Sequence, residues 1–244
     1  MIAGLAICAA HDRPGINPKT GHEWNDATAA FVPEAKAFAA RHNLTGGAVE
    51  VDNRKPIAAV RHEVEEAFRA ARFHAGEPLE LVAIMCHGTR RSLQLAGSFA
   101  PGSLVREPTI WLGDLLAATC AEHAKIFLAA CSAARDSDAQ IDDDRDDGPG
   151  GEGGFTDGVR DRLVERGMAG GWIDAHVEAG HTTSNPYVRR FFIDPGDTFG
   201  AGWLVRPRSK LWGRWTRRLA DRTHDDLRIR YTALEVEDLF AELA

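Results

Sequence analysis

Short apolar runs separated by helix-length segments recur along this chain of 244 residues. The clearest runs are Ile2–Ala9, Leu79–Cys86 and Lys125–Ala130, whose length and composition are typical of buried parallel strands. Between them, Pro56–His74 repeats apolar residues at helical spacing, and Gly76 supplies the stop. Strands that alternate with helices predict an α/β fold, a three-layer αβα sandwich around a mostly parallel sheet of about six strands.

Further elements follow from the same patterns. We predict helices at Asn25–His42 and Trp111–His123, a helix capped by Thr156 and ended by Gly167, strands at Ala48–Val51, Met168–Ala175 and Tyr187–Ile193, and one arm of a small hairpin at Ser92–Leu95. Residues 1–195 are expected to form one domain. Residues 196–244 are expected to be an extension packed on it, with a basic Trp-containing helix, a strand and an acidic helix.

Composition and charge narrow the class of protein. Apolar residues make up 44% and charged residues 27%, as in soluble globular proteins, and the net charge of −7 disfavours a general nucleic-acid binder. The four cysteines form no CxxC pair, so we expect reduced thiols. The apolar N-terminus lacks a positive region and no run reaches membrane-spanning length, so we expect a cytoplasmic protein without a membrane span. The oligomeric state stays open.

Two reactive side chains each come directly after an apolar run. His87 follows the third predicted strand, and Cys131 follows the fourth strand 44 residues later. Neighbouring parallel strands end at one edge of their sheet, and an imidazole beside a thiol can take its proton. Lone core cysteines are usually inert, so the prediction of a catalytic dyad depends on the pairing. Gly88 lets a backbone amide approach a substrate closely.

These motifs resemble a known family. Ile84–Gly88 and Leu128–Ala133 are similar to the His-Gly and Ala-Cys motifs of caspase-like cysteine peptidases, the caspase–hemoglobinase group of caspases, metacaspases, legumain, gingipain and clostripain. The order of elements fits residues 1 to about 193. The chain has Ala-Ala-Cys-Ser-Ala where true caspases have Gln-Ala-Cys-x-Gly.

The resemblance implies a cysteine endopeptidase that needs no cofactor. Cys131 would attack a peptide carbonyl, His87 would protonate the leaving amine, and the backbone amides of Gly88 and Cys131 would hold the oxyanion. No third catalytic acid is required.

The resemblance also implies which segments line the pocket for the residue before the cut. The substrate-binding candidates are Asp12, Arg13, Asp174, His176, Ser184 and Arg189. Asp12 and Asp174 would favour a basic residue there, whereas Arg13 or Arg189 would favour Asp, and we expect the basic residue. The competing interpretation is that Asp12, Asp174 and His176 are ordinary polar residues that face solvent.

The segment Asp136–Asp147 carries seven aspartates and precedes a run of glycines. It is open to three interpretations: a solvated linker, an activation loop that is cleaved, or a calcium site built from its carboxylates. No other metal site is predicted.

Other functions compete with the peptidase. The main alternative is a caspase-like fold that acts as a non-catalytic binding or regulatory module. A glutamine amidotransferase is disfavoured because that class places the nucleophile before the histidine. The basic segment Arg206–Arg222 could bind nucleic acid or an anionic surface.

Overall fold

The computed structural model describes residues 1–11, 31–89, 91–93, 95, 106–130, 133–134, 151–177, 188–197 and 202–205. Within these ranges the chain forms strands and helices in this order: β1 (Gly4–Ala9), α1 (Phe31–Arg41), β2 (Ala48–Val51), α2 (Ile57–Ala75), β3 (Leu79–Met85), β4 (Gly88–Thr89), β5 (Ser92–Leu93), α3 (Arg106–Thr119), β6 (Cys120–Ala129), α4 (Phe155–Glu165), β7 (Trp172–His176), β8 (Val188–Phe192) and β9 (Trp203–Val205).

The main sheet is mostly parallel, as the sequence predicts. Its strand order is β2-β1-β3-β6-β7-β8-β9, and the first five strands in that order run parallel. β8 pairs antiparallel with β7, and β9 pairs antiparallel with β8. β9 was not among the predicted strands. It comes from the predicted extension and adds a seventh strand beside the six that the sequence indicates.

Helices cover both faces of the sheet, which gives the predicted α/β sandwich. The chain steps from β1 outward to β2 and then back past β1 to β3, so right-handed crossovers put α1 on one face and α2, α3 and α4 on the other. On the first face Phe38 of α1 lies 6.5 Å from the ring of Phe127 in β6. On the second face the three helices pack in succession against the strands.

The helix α2 shows why the sequence pattern succeeds. Its inward side chains recur every three or four residues and are buried: Val60, Val64, Phe68 and Ala71. The helix ends at Gly76, which has the left-handed conformation (φ 73°) that glycine adopts without strain.

Two predicted details are wrong. The helix expected at Trp111–His123 ends at Thr119, and Cys120 already begins β6. Thr156 does not cap α4, because Gly154 occupies the N-cap and Thr156 is the second residue of the helix. The predicted hairpin is present, with β4 and β5 antiparallel.

Several predicted segments lie outside the described residues: the start of the first helix at 25–30, the aspartate-rich segment 136–147, the basic segment 206–222 and the C-terminal segment 227–244. In the described part of the chain, no helix is long and apolar enough to cross a membrane.

Candidate active site

The strands that lead to His87 and Cys131 are direct neighbours in the sheet. β3 and β6 run parallel, and Met85 is registered opposite Ala129. The backbone continues this pairing past the end of β3, because the Cys86 amide donates to the Ala129 carbonyl at 3.4 Å. His87 therefore follows a residue that is hydrogen-bonded to β6 two positions before Cys131. The carboxyl ends of β3 and β6, which lead to His87 and to Cys131, therefore lie at one edge of the sheet.

His87 is half-buried at this edge and lies on the α1 side. Its ring meets the ring of Phe31, the first residue of α1, edge to face, with centroids 5.0 Å apart and planes at 89°. This geometry is favourable for aromatic rings and restricts how the imidazole can turn. Directly after His87, Gly88 enters the small β4–β5 hairpin, where it is registered opposite Leu93.

Cys131 and Ser132 lie outside the described residues, but the backbone on both sides of them is fixed. Before them, β6 ends with a tight bend, in which the Ala130 amide donates to the Leu128 carbonyl at 2.9 Å. After them, the Ala133 amide donates to the Ala130 carbonyl at 3.4 Å. Ala130, Ala133 and Ala134 are all buried.

Three further elements hold the chain that follows Cys131. Thr156 of α4 donates to the Ala133 carbonyl twice, from its amide at 3.2 Å and from its hydroxyl at 2.6 Å. The Ala134 amide donates to the carbonyl of His176 at 3.0 Å, at the end of β7. The guanidinium of Arg189 in β8 donates to the Ala134 carbonyl at 3.2 Å. We call Ala133 and Ala134 with these bonds the Ala133–Ala134 clamp.

Two of the predicted substrate-binding residues thus belong to this clamp. His176 is fully buried, and its ring packs edge to face on Phe127 at 5.3 Å. Arg189 is 2% exposed, so its charge is held inside the protein and directed at a backbone carbonyl. Both lie at the expected edge of the sheet, in contact with the segment that follows Cys131.

Asp174 lies elsewhere, in the middle of β7. Both of its carboxylate oxygens accept from the guanidinium of Arg190, at 2.8 and 2.9 Å, and the indole of Trp172 donates to it at 3.0 Å. Burial raises the pKa of the Asp174 carboxyl, and the pairing with Arg190 opposes that rise. The structure therefore pairs Asp174 with Arg190, and the pocket that Asp174 helps to line, with His42 and His123, is at the other edge of the sheet from His87.

The remaining substrate-binding candidates, Asp12, Arg13 and Ser184, lie outside the described residues. The chain that leads to Asp12 is held in place, because the side-chain amide of Asn53 donates to the His11 carbonyl and its oxygen accepts from the His11 amide, both at 3.0 Å. His11 follows β1, so it lies at the same edge of the sheet as His87.

The other cysteines sit in environments that suppress reactivity. Cys8, Cys86 and Cys120 are buried and form no disulfide in the described part of the chain, in agreement with the reduced state expected from the sequence. Burial raises the pKa of the Cys8 thiol and of the Cys120 thiol to about 12. Their thiolates, which are the nucleophilic form, are scarce at neutral pH.

Sequence reasoning missed the partners that organise this edge. The sequence predicts Thr156 only as a helix cap, and Phe31 only as one residue of the helix expected at Asn25–His42. One sequence signal could have identified Thr156: it is a polar residue near the start of the helix that follows the predicted nucleophile. The pairing of Asp174 with Arg190 depends on the register of two antiparallel strands, which composition does not specify.

Among the described residues, no three His, Cys, Asp or Glu side chains are grouped to hold an ion. The segment Asp136–Asp147, one interpretation of which is a calcium site, lies outside them.

Comparisons of the chain with protein-family models, with curated proteins and with solved structures found no significant match.

Proposed function

We propose that this protein is a cysteine endopeptidase in which His87 and Cys131 form the catalytic dyad. One observation carries the proposal: the hydrogen bond from the Cys86 amide to the Ala129 carbonyl, beyond the last registered pair of β3 and β6. It ties the residue before His87 to the residue two positions before Cys131. The sequence resemblance to caspase-like peptidases points to the same two residues.

The reaction would proceed by acyl transfer through a thioester. The Cys131 thiolate attacks the peptide carbonyl, and the carbonyl oxygen becomes an oxyanion held by the backbone amides of Gly88 and Cys131. When the intermediate collapses, the C–N bond breaks and the amine takes a proton from the imidazolium of His87. Water then attacks the thioester, His87 takes the proton from that water, and the peptide acid leaves as the thiolate is restored.

Support for a prepared nucleophile comes from the bonds on either side of it. Backbone and side-chain donors fix Ala130, Ala133 and Ala134, and these residues are buried. A reacting group held by a rigid frame loses little entropy on reaching the transition state, which is a main source of catalytic rate.

The pocket for the residue before the cut is proposed from the sequence candidates other than Asp174 and Arg189, whose charges are engaged inside the fold. Asp174 is paired with Arg190, and Arg189 with the Ala134 carbonyl. Asp12 is then the residue that would select Arg or Lys, and Arg13 the residue that would select Asp. We keep the basic residue as the expected preference.

The proposal is tested by profiling cleavage of a peptide library. Wild type should cut at one preferred residue, and Cys131→Ala and His87→Ala should reduce turnover to background. Cys120→Ala is the matched control. Cys120 is 8% exposed and begins β6, the strand that ends before Cys131, so it lies at the opposite edge of the sheet. The control should keep full activity.

The same experiment separates the peptidase from the non-catalytic binding module. If wild type cleaves no peptide, or if Cys131→Ala cleaves as well as wild type does, the peptidase proposal fails and the binding module is favoured.

A further inference from the structure

The hydroxyl of Thr156 has an unusual position for the second residue of a helix. The backbone amide of such a residue has no partner within the helix and normally donates to a capping side chain or to water. Here the Thr156 amide and the Thr156 hydroxyl both donate to one acceptor, the Ala133 carbonyl, at 3.2 and 2.6 Å. Thr156 is fully buried, and so is Ala133.

These two hydrogen bonds from Thr156 satisfy the Ala133 carbonyl completely. A carbonyl oxygen has two lone pairs, and one residue of α4 satisfies both of them. No water reaches Ala133 to replace a lost donor, because its exposure is 0%. Removing the hydroxyl therefore leaves the Ala133 carbonyl half satisfied inside the protein, and the peptide group becomes less restrained.

The peptide that Thr156 holds is part of the short stretch that carries Cys131. The Ala133 amide is bonded back to the Ala130 carbonyl at 3.4 Å, so positions 131 and 132 lie between two tethered residues. Ala134 is restrained separately, by the His176 carbonyl and by the Arg189 guanidinium. A shift of Ala133 would thus be passed to Cys131 through only one intervening residue.

We propose that Thr156 is a positioning residue that orients Cys131 through the Ala133 peptide. This proposal rests on the proposed peptidase function. Its new part is that the first turn of α4 sets the direction of the nucleophile. Small misplacements of a reacting group lower the rate of chemistry far more than they lower substrate binding. The loss should appear in kcat and not in KM.

The matched control is another buried threonine. The Thr119 hydroxyl donates to the Leu115 carbonyl at 2.7 Å, and Thr119 is 5% exposed. It ends α3 immediately before Cys120, at the opposite end of β6 from Cys131. Thr119→Val and Thr156→Val both remove a buried hydroxyl donor to a backbone carbonyl, so a purely structural effect should be similar in the two variants.

The experiment measures kcat, KM, Tm and the rate at which iodoacetamide labels Cys131, in wild type and in Thr156→Val, Thr156→Ser and Thr119→Val. Thr156→Val should lower kcat about 10-fold, the size expected for one buried hydrogen bond, with KM within about twofold. It should also change the labelling rate of Cys131. Thr156→Ser keeps the donor and should restore kcat to within about twofold of wild type.

The inference is overturned if Thr156→Val lowers kcat no more than Thr119→Val does, or if Thr156→Ser fails to restore it. If Thr156→Val does not fold, Thr156→Ala supplies the same comparison, since it also lacks the donor. A wild type without Cys131-dependent turnover would instead overturn the peptidase proposal and this inference with it, so the two failures are distinguishable.

Discussion

At the scale of single residues, three of the four thiols are shielded inside the protein. Cys8 and Cys86 are 0% exposed, and Cys120 is 8% exposed. Burial raises the pKa of the Cys8 thiol and of the Cys120 thiol to about 12, so both are almost entirely protonated at neutral pH. Neither of these two thiols therefore supplies appreciable thiolate at neutral pH.

This predicts selective alkylation of the folded protein. Brief treatment with iodoacetamide at pH 7 should label Cys131 and leave Cys8, Cys86 and Cys120 unmodified, whereas all four should be labelled in denaturant. Peptide mapping by mass spectrometry reads the result, and Cys131→Ala is the control that should lose the native label. Equal, slow labelling of all four thiols in the folded state would contradict the prediction.

The sequence was informative about residues at strand ends and uninformative about their partners. His87 could be assigned to an edge because an apolar run directly precedes it. Asp174 was expected to face a substrate, but it lies opposite Arg190 in the antiparallel pair of β7 and β8 and forms an ion pair with it. Such a partnership depends on the register of β7 against β8, which the pattern of one strand alone does not specify.

At the scale of elements, α3 and α4 are joined by a cluster of charges. Asp114 of α3 accepts from Arg162 of α4 at 2.7 and 3.1 Å and from Arg166 just beyond α4 at 2.7 Å. Hydrogen bonds from Arg166 and Arg162 hold the pKa of the Asp114 carboxyl far below its ordinary value of 3.8. The folded state therefore favours the ionised carboxylate.

The lowered pKa fixes the sign of a pH effect on stability. The contribution of Asp114 is fully present above about pH 4 and is lost as the pH falls toward the folded-state pKa. Asp114→Asn should lower the free energy of unfolding at pH 7, and its difference from wild type should shrink below pH 4. Urea unfolding at several pH values measures this.

Glu80→Gln serves as the control for that series, since Glu80 is an exposed carboxylate on β3, outside the two helices. It should not reproduce the pH-dependent difference. A difference between Asp114→Asn and wild type that stays constant from pH 7 to pH 3 would refute the account of this cluster.

The boundary between α3 and β6 shows where element prediction breaks down. Residues 120–124 continue the helical spacing of Leu116 and contain neither glycine nor proline, so nothing local marks an end. The structure ends the helix at Thr119, and β6 pairs from Cys120 with Leu79 of β3. Pairing with a distant strand overrides helix propensity at this point.

At the scale of the whole molecule, the alternation of strands and helices was enough to predict the class of fold. The crossover helices demand parallel pairing, and five strands are parallel. The direction of β8 was not predicted, although only ten residues separate 177 from 188, and a short connection is typical of antiparallel neighbours. β9 has three residues and no alternation strong enough to stand out.

The arrangement of the whole sheet is what would make the dyad possible. β3 and β6 are adjacent inner strands in the order β2-β1-β3-β6-β7-β8-β9, and both end at the same edge of the sheet as β1. Sheets of this kind bind ligands at the carboxyl ends of their strands, and the switch point of this sheet, between β1 and β3, adjoins the β3–β6 pair. That β3 and β6 end side by side could be predicted from the sequence, because it follows from topology. The clamp around Ala133 and Ala134 could not, because it depends on side chains from three elements that are distant in sequence.

The pH dependence of Cys131 alkylation, measured with and without His87, tests the dyad most directly. In wild type, a nearby imidazolium should keep the thiolate populated well below the ordinary thiol pKa of about 8.5. In His87→Ala the labelling profile should move up toward that value, and labelling at pH 7 should slow about 10-fold or more. Superimposable profiles for wild type and His87→Ala would show that the two side chains do not interact, and would contradict the account.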